Sequence, residues 1–454
     1  MIAVSAVGIY YSSTLNKKRG TRNTSFHAIF MKNIRAAAIG FFDGGFFSSS
    51  SIIFVGSFVV NALNYVFTII VSRLMGVEEF GEVAALLSLF LIISVPASAV
   101  AMLMSREAAF RSVNDHGSIR DLFLFLRKHV LAAGLGVWVI FLALTPLLSH
   151  LLHIPYIPFF IFSMLAPLAL IGSLQSGALQ GLQEFFLLAK QNILSTLVKL
   201  GASILLVLAG LSVPGVMLAL VLASCSGLVY GFFATRAALG GNVGPRESTI
   251  DRRSIRSLFS VIFITTLMLA LLSNIDVLLA KHFLPTFLAG QYGALSAVGK
   301  IIIYGVGAFV TVLLPFASAA HARGDGGDKR ILGLSLFAIG VSAFAAWALF
   351  SVFPELVVSI LFGARYVAIA ASLGTFAIAM GCIALSTALI NYFVAIRNTS
   401  FVYLLMLAIA AEIALISFDH GSVEAVTRML VVSSVLLLSL MCGNYFFTAK
   451  KISI

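Results

Sequence analysis

The stretch IIFVGSFVVNALNYVFTIIVSRL, residues 52–74, decides the fold class of this chain. It is long enough to cross the hydrocarbon core of a bilayer, which takes about 20 mostly apolar residues. One basic residue, Arg73, and no acidic residue interrupts it. The stretch GEVAALLSLFLIISVPASAVAMLM, residues 81–104, follows after a short connection and is nearly as apolar. Together the two stretches indicate a pair of membrane-spanning helices.

The overall composition extends this reading to the whole chain. Its 454 residues are 60% hydrophobic and 10% charged, with a mean hydropathy of +1.08, whereas soluble domains carry about 25% charged residues. A water-soluble fold could not cover its surface with polar groups at this composition. The composition therefore excludes a soluble enzyme, a secreted disulfide scaffold and a disordered chain. The three cysteines lie inside apolar runs, so we expect neither a disulfide nor a metal site.

The length criterion finds twelve candidate spans and predicts an all-α polytopic membrane protein. Between them the connections are short, the longest being near 105–128 and 237–256, and leave no room for a soluble domain. Pro96, Pro167 and Pro315 fall inside spans and are expected to kink them. The spans run approximately over residues 52–74, 81–104, 129–149, 157–177, 191–210, 213–235, 257–281, 291–319, 331–353, 366–392, 400–417 and 424–447.

The basic residues orient these spans. The formal net charge is +12, and Lys and Arg concentrate at alternate ends of the helices. If those ends are cytoplasmic, as the positive-inside rule requires, the outer ends carry only Arg73, Lys281, Arg365 and Arg428. Both termini are then predicted to be cytoplasmic. The basic stretches are not interleaved with aromatic residues in a polar context, which argues against a nucleic-acid partner.

The two halves of the chain resemble each other at an offset of about 212 residues. Residues 79–81 (EFG) recur as 291–293 (QYG), and the loop that starts at Leu151 matches the one that starts at Leu361. Among the polar positions, Asn61 and Asn64 fall opposite Ser273 and Asp276, and Lys199 falls beside Glu412. A shift of six helices keeps both halves in the same orientation, so the repeat predicts two pseudo-symmetric six-helix bundles around a central cavity. Chance similarity among apolar segments is the alternative.

This repeat sets the predicted domain organisation. Residues 1–50 are a cytoplasmic tail, 51–236 the first six-helix bundle, 237–256 a cytoplasmic linker, 257–448 the second bundle and 449–454 a second cytoplasmic tail. A second methionine, Met31, opens a more ordinary start, so residues 1–30 could be a misassigned beginning of the chain.

Polar side chains inside the spans are the candidate functional residues. An ionised residue near the bilayer centre costs about 2.5–3.5 kcal/mol, so such residues usually mark a pathway or a relay. Lys300, Lys199, Asn61, Asn64 and Asn274, with Arg73 and Lys281 at the outer ends, are candidates for substrate binding; Asp276 and Glu412 are candidates for cavity charge or for coupling to a cation gradient.

Each candidate also has a structural explanation. Asp276 and Lys300 could form an ion pair that only joins two helices, and Glu412, with no local counter-charge, should face the interior or Lys199. Lys199 could instead extend to the headgroups. Interhelical hydrogen bonding explains Asn61 and Asn64 as well as ligand binding does.

Motifs for catalysis are absent from the sequence. The nearest match to a phosphate-binding loop, GALSAVGK at residues 293–300, has the wrong glycine spacing and lies inside a predicted span. No H-E-x-x-H or G-x-S-x-G pattern occurs. We therefore expect neither an enzyme nor a cofactor or metal.

Several segments resemble the oligosaccharide flippases, or polysaccharide transporters, of the multidrug/oligosaccharidyl-lipid/polysaccharide exporter superfamily. These are SRLMGVEEFGEVAALLSL from Ser72, NIDVLLAKHFLPTFLAGQYGALSAVGKII from Asn274, ALQGLQEFFLLAKQNIL from Ala178 and ALINYFVAIRNTSFVYLLM from Ala388. The resemblance covers about residues 50–450, and its motifs are loose patterns.

The resemblance implies a transporter that flips a polyprenyl-diphosphate-linked oligosaccharide across a bacterial or archaeal inner membrane by alternating access. Its partners would be that lipid-linked oligosaccharide, membrane lipids and polysaccharide-assembly proteins, and the protein would be a monomer. The cavities of the family are cationic, and this chain supplies fewer cations than that pattern needs. A cation-coupled multidrug antiporter of the same fold, a membrane sugar polymerase or ligase, and a non-catalytic scaffold for glycan assembly are the alternatives.

Overall fold

The computed structural model describes residues 45–112, 116–239, 252–323, 327–396 and 398–452. Within these ranges every regular element is helical. The possible misassigned start at residues 1–30, most of the predicted tail 1–50, and most of the predicted linker 237–256 lie outside the described residues.

Helices α1–α8 form the first half of the chain, called here the first lobe. They are α1 (Gly45–Leu74), α2 (Val77–Ile93), α3 (Val95–Ser112), α4 (His116–Leu152), α5 (Tyr156–Ser163), α6 (Leu165–Gly181), α7 (Phe185–Leu206) and α8 (Ser212–Ala238). A short π-helical segment, Val207–Leu211, joins α7 to α8.

The second lobe contains α9–α16. They are α9 (Arg252–Leu272), α10 (Ile275–Phe283), α11 (Thr286–Arg323), α12 (Gly327–Val352), α13 (Pro354–Leu361), α14 (Ala370–Ala395), α15 (Phe401–Phe418) and α16 (Val423–Ile452). A 3₁₀ segment, Ala364–Ile369, precedes α14.

The helices in the described part of the chain provide twelve candidate membrane spans. Nine helical segments are long and apolar enough to cross, and two bent pairs, α2 with α3 and α9 with α10, add two more. One of the nine, Phe185–Ala238, is 54 residues long and would extend about 80 Å, far beyond the roughly 30 Å of a hydrocarbon core. It reverses direction where Gly210 has φ 86° and Ser212 has φ 41°. Because α7 and α8 then pack against each other, they are two spans.

Prolines account for two breaks within spans. The α2–α3 break, a bend of 40°, falls at Ser94, and Pro96 lacks the N–H that would continue the helix there. The α5–α6 break at Met164 lies three residues before Pro167. Pro315 lies within α11, which continues as one helix from Thr286 to Arg323, so the kink there stays a prediction.

Several helices extend beyond the ends of the predicted spans. The predicted connection 105–128 is almost entirely helical, because α3 extends to Ser112 and α4 begins at His116. A span predicted from an apolar run ends at the first charged residues, whereas the helix itself can continue beyond them as an amphipathic segment. In α4 this extension buries Ile119, Leu122 and Leu126, which are three and four residues apart and therefore share one face.

Packing within the two lobes follows the same order. In the first lobe, α1 packs on α7, α7 on α8, α8 on α6, and α6 on α3 and α4. In the second lobe, the bent pair α9–α10 packs on α15, α15 on α16, α16 on α14, and α14 on α11 and α12. Each contact has its counterpart at the equivalent position, so the two bundles are pseudo-symmetric, as the repeat predicts.

Large apolar side chains remain on the outside of the bundles. Along α12 the exposed side chains Leu334, Phe337, Val341 and Phe344 recur every three or four residues and so form one stripe. A soluble protein rarely leaves such a stripe uncovered. It faces lipid, which makes the chain a multi-pass membrane protein.

Candidate functional site

In the first lobe, Lys199 and Asn64 meet between α7 and α1. The Lys199 ammonium donates a hydrogen bond to the Asn64 amide oxygen and lies 4.3 Å from the centroid of the Phe67 ring. Lys199 is about 21 Å along α7 from Phe185. Its ammonium is therefore held inside the bundle by Asn64 and Phe67, and the headgroup alternative does not describe its position.

Beside Lys199, the first lobe contains a cavity of about 380 Å³, called here the first-lobe cavity. Faces of α6, α7 and α8 line it, with Phe90 from α2. Lys199 is the one ionisable side chain among the described residues that line it. On α7 the polar lining residues fall one turn apart, a stripe that helical periodicity could have revealed in the sequence. They are Gln191, Asn192, Ser195, Thr196 and Lys199.

The second lobe buries a cluster of charged and polar groups between α10, α11 and α15. Asp276 is 2% exposed and Glu412 is 1% exposed. The Tyr292 hydroxyl donates to Asp276 Oδ2 at 3.0 Å, and Lys300 Nζ donates to Asn274 Oδ1 at 3.2 Å. Lys300 therefore hydrogen-bonds the amide of the helix break rather than a carboxylate.

This cluster is electrostatically connected and incompletely hydrogen-bonded. Lys300 interacts electrostatically with both Asp276 and Glu412. Among the described residues, Asp276 Oδ1 and Glu412 Oε1 have no hydrogen-bond partner, although leaving a buried acceptor unsatisfied costs about 1–3 kcal/mol. Two acids therefore lie near one ammonium.

The polar pairs of the two lobes occupy equivalent positions. Asn64 and Asp276 are 212 residues apart, and Lys199 and Glu412 differ by almost the same offset. In the first lobe the pair is joined by a hydrogen bond, and in the second the two acids interact electrostatically. The same place in each bundle therefore carries a cation in one lobe and an acid in the other. Asn61, one turn before Asn64, is exposed.

The remaining two cations lie where the lobes touch. We call the end that carries residues 75–76 the predicted outer end, after the charge distribution. There Arg73 donates to the backbone carbonyl of Leu361 at 3.3 Å, and also to that of Ile360, in the last turn of α13. Lys281 is 2% exposed and interacts electrostatically with Glu82 and Glu78 of α2. Neither residue lines the first-lobe cavity.

Backbone contacts also join the lobes at this end. A Cβ on Gly81 of α2 would lie 2.7 Å from the Gly290 Cα of α11, closer than real Cβ atoms come, and a Cβ on Gly290 would overlap the Val77 carbonyl oxygen. His282 Nδ1 donates to the Leu151 carbonyl at 2.6 Å. The predicted outer end is therefore closed by direct contact between the lobes.

Comparison of the sequence with known protein families assigns it to one family. The sequence matches the polysaccharide biosynthesis protein family over residues 46–321, more than half of its length. The chain belongs to that family. No curated protein matches the sequence.

Solved structures share the fold. An inward-facing multidrug resistance MATE family transporter aligns with a TM-score of 0.71 at 13% identity, over 87% of this chain and 94% of that chain. Lipid II flippase MurJ, in an inward closed conformation, aligns with a TM-score of 0.68 at 11% identity, over 87% of each chain. A MOP superfamily transporter from Pyrococcus furiosus, described as having a binding pocket of reverse polarity, aligns with a TM-score of 0.65 at 14% identity, over 89% of this chain and 94% of that chain.

Proposed function

We propose that this protein is a secondary transporter that flips a polyprenyl-diphosphate-linked oligosaccharide across the inner membrane by alternating access. The observation that carries the proposal is Lys199, a cation that lines a cavity inside the first lobe. Burying a charge within a spanning helix is costly, so a residue of this kind usually marks a substrate or ion pathway. A diphosphate is one of the anionic groups that an ammonium binds through a charge-assisted hydrogen bond.

The sign of the cavity separates this proposal from its nearest rival. A multidrug antiporter that exports amphipathic cations would need an acid facing its substrate. In this chain Asp276 and Glu412 are buried in the second lobe, while the described residues that line the first-lobe cavity include Lys199 and no acid. This arrangement favours an anionic substrate.

We assign the second-lobe cluster to energy coupling. Asp276 and Glu412 together with Lys300 leave one buried negative charge unbalanced, and a proton or a metal cation drawn from a gradient would neutralise it. Lys300 then balances the acids, in contact with Asn274, and the role of holding the substrate falls to Lys199.

A membrane polymerase or ligase is the rival from a different class. The two differ in what a deletion strain accumulates. Loss of this flippase should leave completed lipid-linked units on the cytoplasmic side, whereas loss of a polymerase would leave single units exported. The proposal that the protein is not an enzyme is wrong if the deletion strain exports single units.

Lys199→Ala is expected to reduce flipping of the lipid-linked oligosaccharide by about 10- to 150-fold. A hydrogen bond to a charged group contributes about 1.5–3 kcal/mol, and 1.4 kcal/mol is a factor of ten. The measurement is leaflet accessibility of a lipid-linked oligosaccharide in proteoliposomes. Lys190→Ala is the matched control, because Lys190 is an exposed lysine of the same helix that packs over Phe186. Unchanged flipping by Lys199→Ala would contradict the proposal, and Lys199→Arg should restore part of the loss.

The orientation is tested by reporter fusions. An alkaline phosphatase fused after Ala238, at the end of α8, should be inactive because that end is predicted to be cytoplasmic. The same reporter fused after Gly421, between α15 and α16, should be active. Activity at Ala238 would show that the topology is inverted.

A further inference from the structure

The first-lobe cavity has a second chemical character besides its cation. Below Lys199 along α7, toward the predicted inner end, it is lined by amides and hydroxyls: Gln191, Asn192, Ser195 and Thr196, with Ser176 and Ser224 from the neighbouring helices. Phe90, Leu165 and Leu168 form an apolar wall. Uncharged hydrogen-bonding groups beside an apolar wall suit a ligand with hydroxyl groups on one side and C–H groups on the other, which describes a sugar ring.

Two buried glutamines hold α6 and α7 against α8 beside the cavity. Gln191 is 4% exposed and Gln175 is 6% exposed. Their amide nitrogens donate to carbonyls of α8, Gln191 Nε2 to Gly227 at 3.0 Å and Gln175 Nε2 to Leu228 at 3.3 Å. Both Oε1 atoms lack a partner in the described residues. The backbone of α8 thus fixes both amides, and of the two glutamines Gln191 is the one that lines the cavity.

The glycines at positions 227 and 231 let α8 approach these side chains closely. A Cβ at Gly227 would collide with the Ser195 hydroxyl, and a Cβ at Gly231 would collide with the Gln175 and Gln191 side chains. The close approach of α8 to α7 therefore holds the Ser195 and Gln191 side chains in fixed positions, and a preorganised set of hydrogen-bonding groups gives selectivity.

The dimensions limit what part of the substrate fits. The cavity of about 380 Å³ is at the lower end of the 300–1,000 Å³ typical of small-molecule sites. Gln191 and Lys199 are separated by about 12 Å along α7. These dimensions match one sugar ring next to a diphosphate at Lys199.

We propose that the α7 face formed by Gln191, Asn192 and Ser195 is a sugar-binding subsite that reads the first sugar of the lipid-linked substrate. This proposal rests on the proposed function and adds that separate groups in one cavity bind the diphosphate and the sugar. Lys199 attracts the diphosphate that all such substrates share, and the amide and hydroxyl groups distinguish one glycan from another.

Native mass spectrometry of the purified full chain tests the subsite. The probes are undecaprenyl diphosphate and undecaprenyl diphosphate carrying N-acetylglucosamine, glucose or galactose, in equimolar mixture. Wild type is expected to prefer at least one glycosylated lipid over the bare lipid by about tenfold, the effect of one or two hydrogen bonds. Asn192→Ala and Ser195→Ala should bring this ratio close to one.

Controls separate the subsite from the general proposal. Ser173→Ala removes a hydroxyl of α6 that bonds to its own helix at Leu170 and should keep the preference. Gly172→Val narrows the cavity without touching a hydrogen-bonding group and should also reduce the ratio, which covers the case that a polar variant does not fold. If wild type binds none of the four lipids, the proposed function fails. Equal binding of bare and glycosylated lipids, or a preference that the α7 variants retain, overturns the subsite alone.

Discussion

Gly290→Val is expected to prevent the predicted outer ends of the two lobes from meeting, and so to slow transport about 5- to 150-fold. The Gly290 position admits no Cβ, because one would overlap the Val77 carbonyl of α2. Forcing extra groups into a packed contact costs about 1–3 kcal/mol. In an alternating-access cycle this cost falls only on the state closed at the outer end, so it shifts the population toward the open state.

Spin-label distances measure this shift. With labels at Tyr156 of α5 and Glu355 of α13, in a chain lacking its native cysteines, the variant should show a longer mean distance between the lobes than the parent. Gly421→Val is the control, because a Cβ at Gly421 meets no atom within 4 Å. An unchanged distance distribution together with normal transport would mean that closure at this contact is not part of the cycle.

Glu412→Gln should uncouple transport from the cation gradient while the protein still folds and inserts. The substitution keeps the shape of a side chain that is 1% exposed but removes its ability to carry a negative charge or a proton. The unbalanced charge of the second-lobe cluster then disappears, and with it the site that a proton or metal cation would occupy. Flipping with an imposed proton or sodium gradient should fall to the rate measured without one.

Glu355→Gln is the matched control for this experiment, because Glu355 is an exposed acid of α13. Gradient-driven flipping that survives Glu412→Gln would remove Glu412 from the coupling mechanism. Comparing the proton and sodium gradients in the parent protein also identifies the cation, since the cluster of Asp276, Glu412 and Lys300 fixes the charge that is missing and not its chemical nature.

The order of the spans and the repeat could be read from the sequence because both depend on local patterns. The apolar run at 52–74 gives α1 directly, and the offset of 212 residues already pairs Asn64 with Asp276 and Lys199 with Glu412. The ends of helices were harder to predict, as at His116, where α4 begins well before its apolar run.

Contacts between distant helices could not be read in this way. The sequence left open whether Lys199 would extend to the headgroups or face the interior, and packing of α7 on α1 brings it to Asn64. Arg73 and Lys281 looked like further cavity cations, yet they contact α13 and α2 across the lobe boundary, because the end of a span can meet the opposite bundle. Their part in substrate binding remains a prediction. The polar stripe at 191–199 was readable, since its spacing is that of a helix face.

The Asn64–Lys199 and Asp276–Glu412 equivalence has an evolutionary consequence. A duplicated bundle begins with two identical copies of the same polar pair, and under the proposed function one copy binds the cargo while the other couples transport to the cation gradient. Substitutions along α7 would then change which glycan is exported without changing how transport is coupled to the cation gradient. Orthologues that export different glycans should therefore diverge at positions 191, 192 and 195 far more than at 276 and 412.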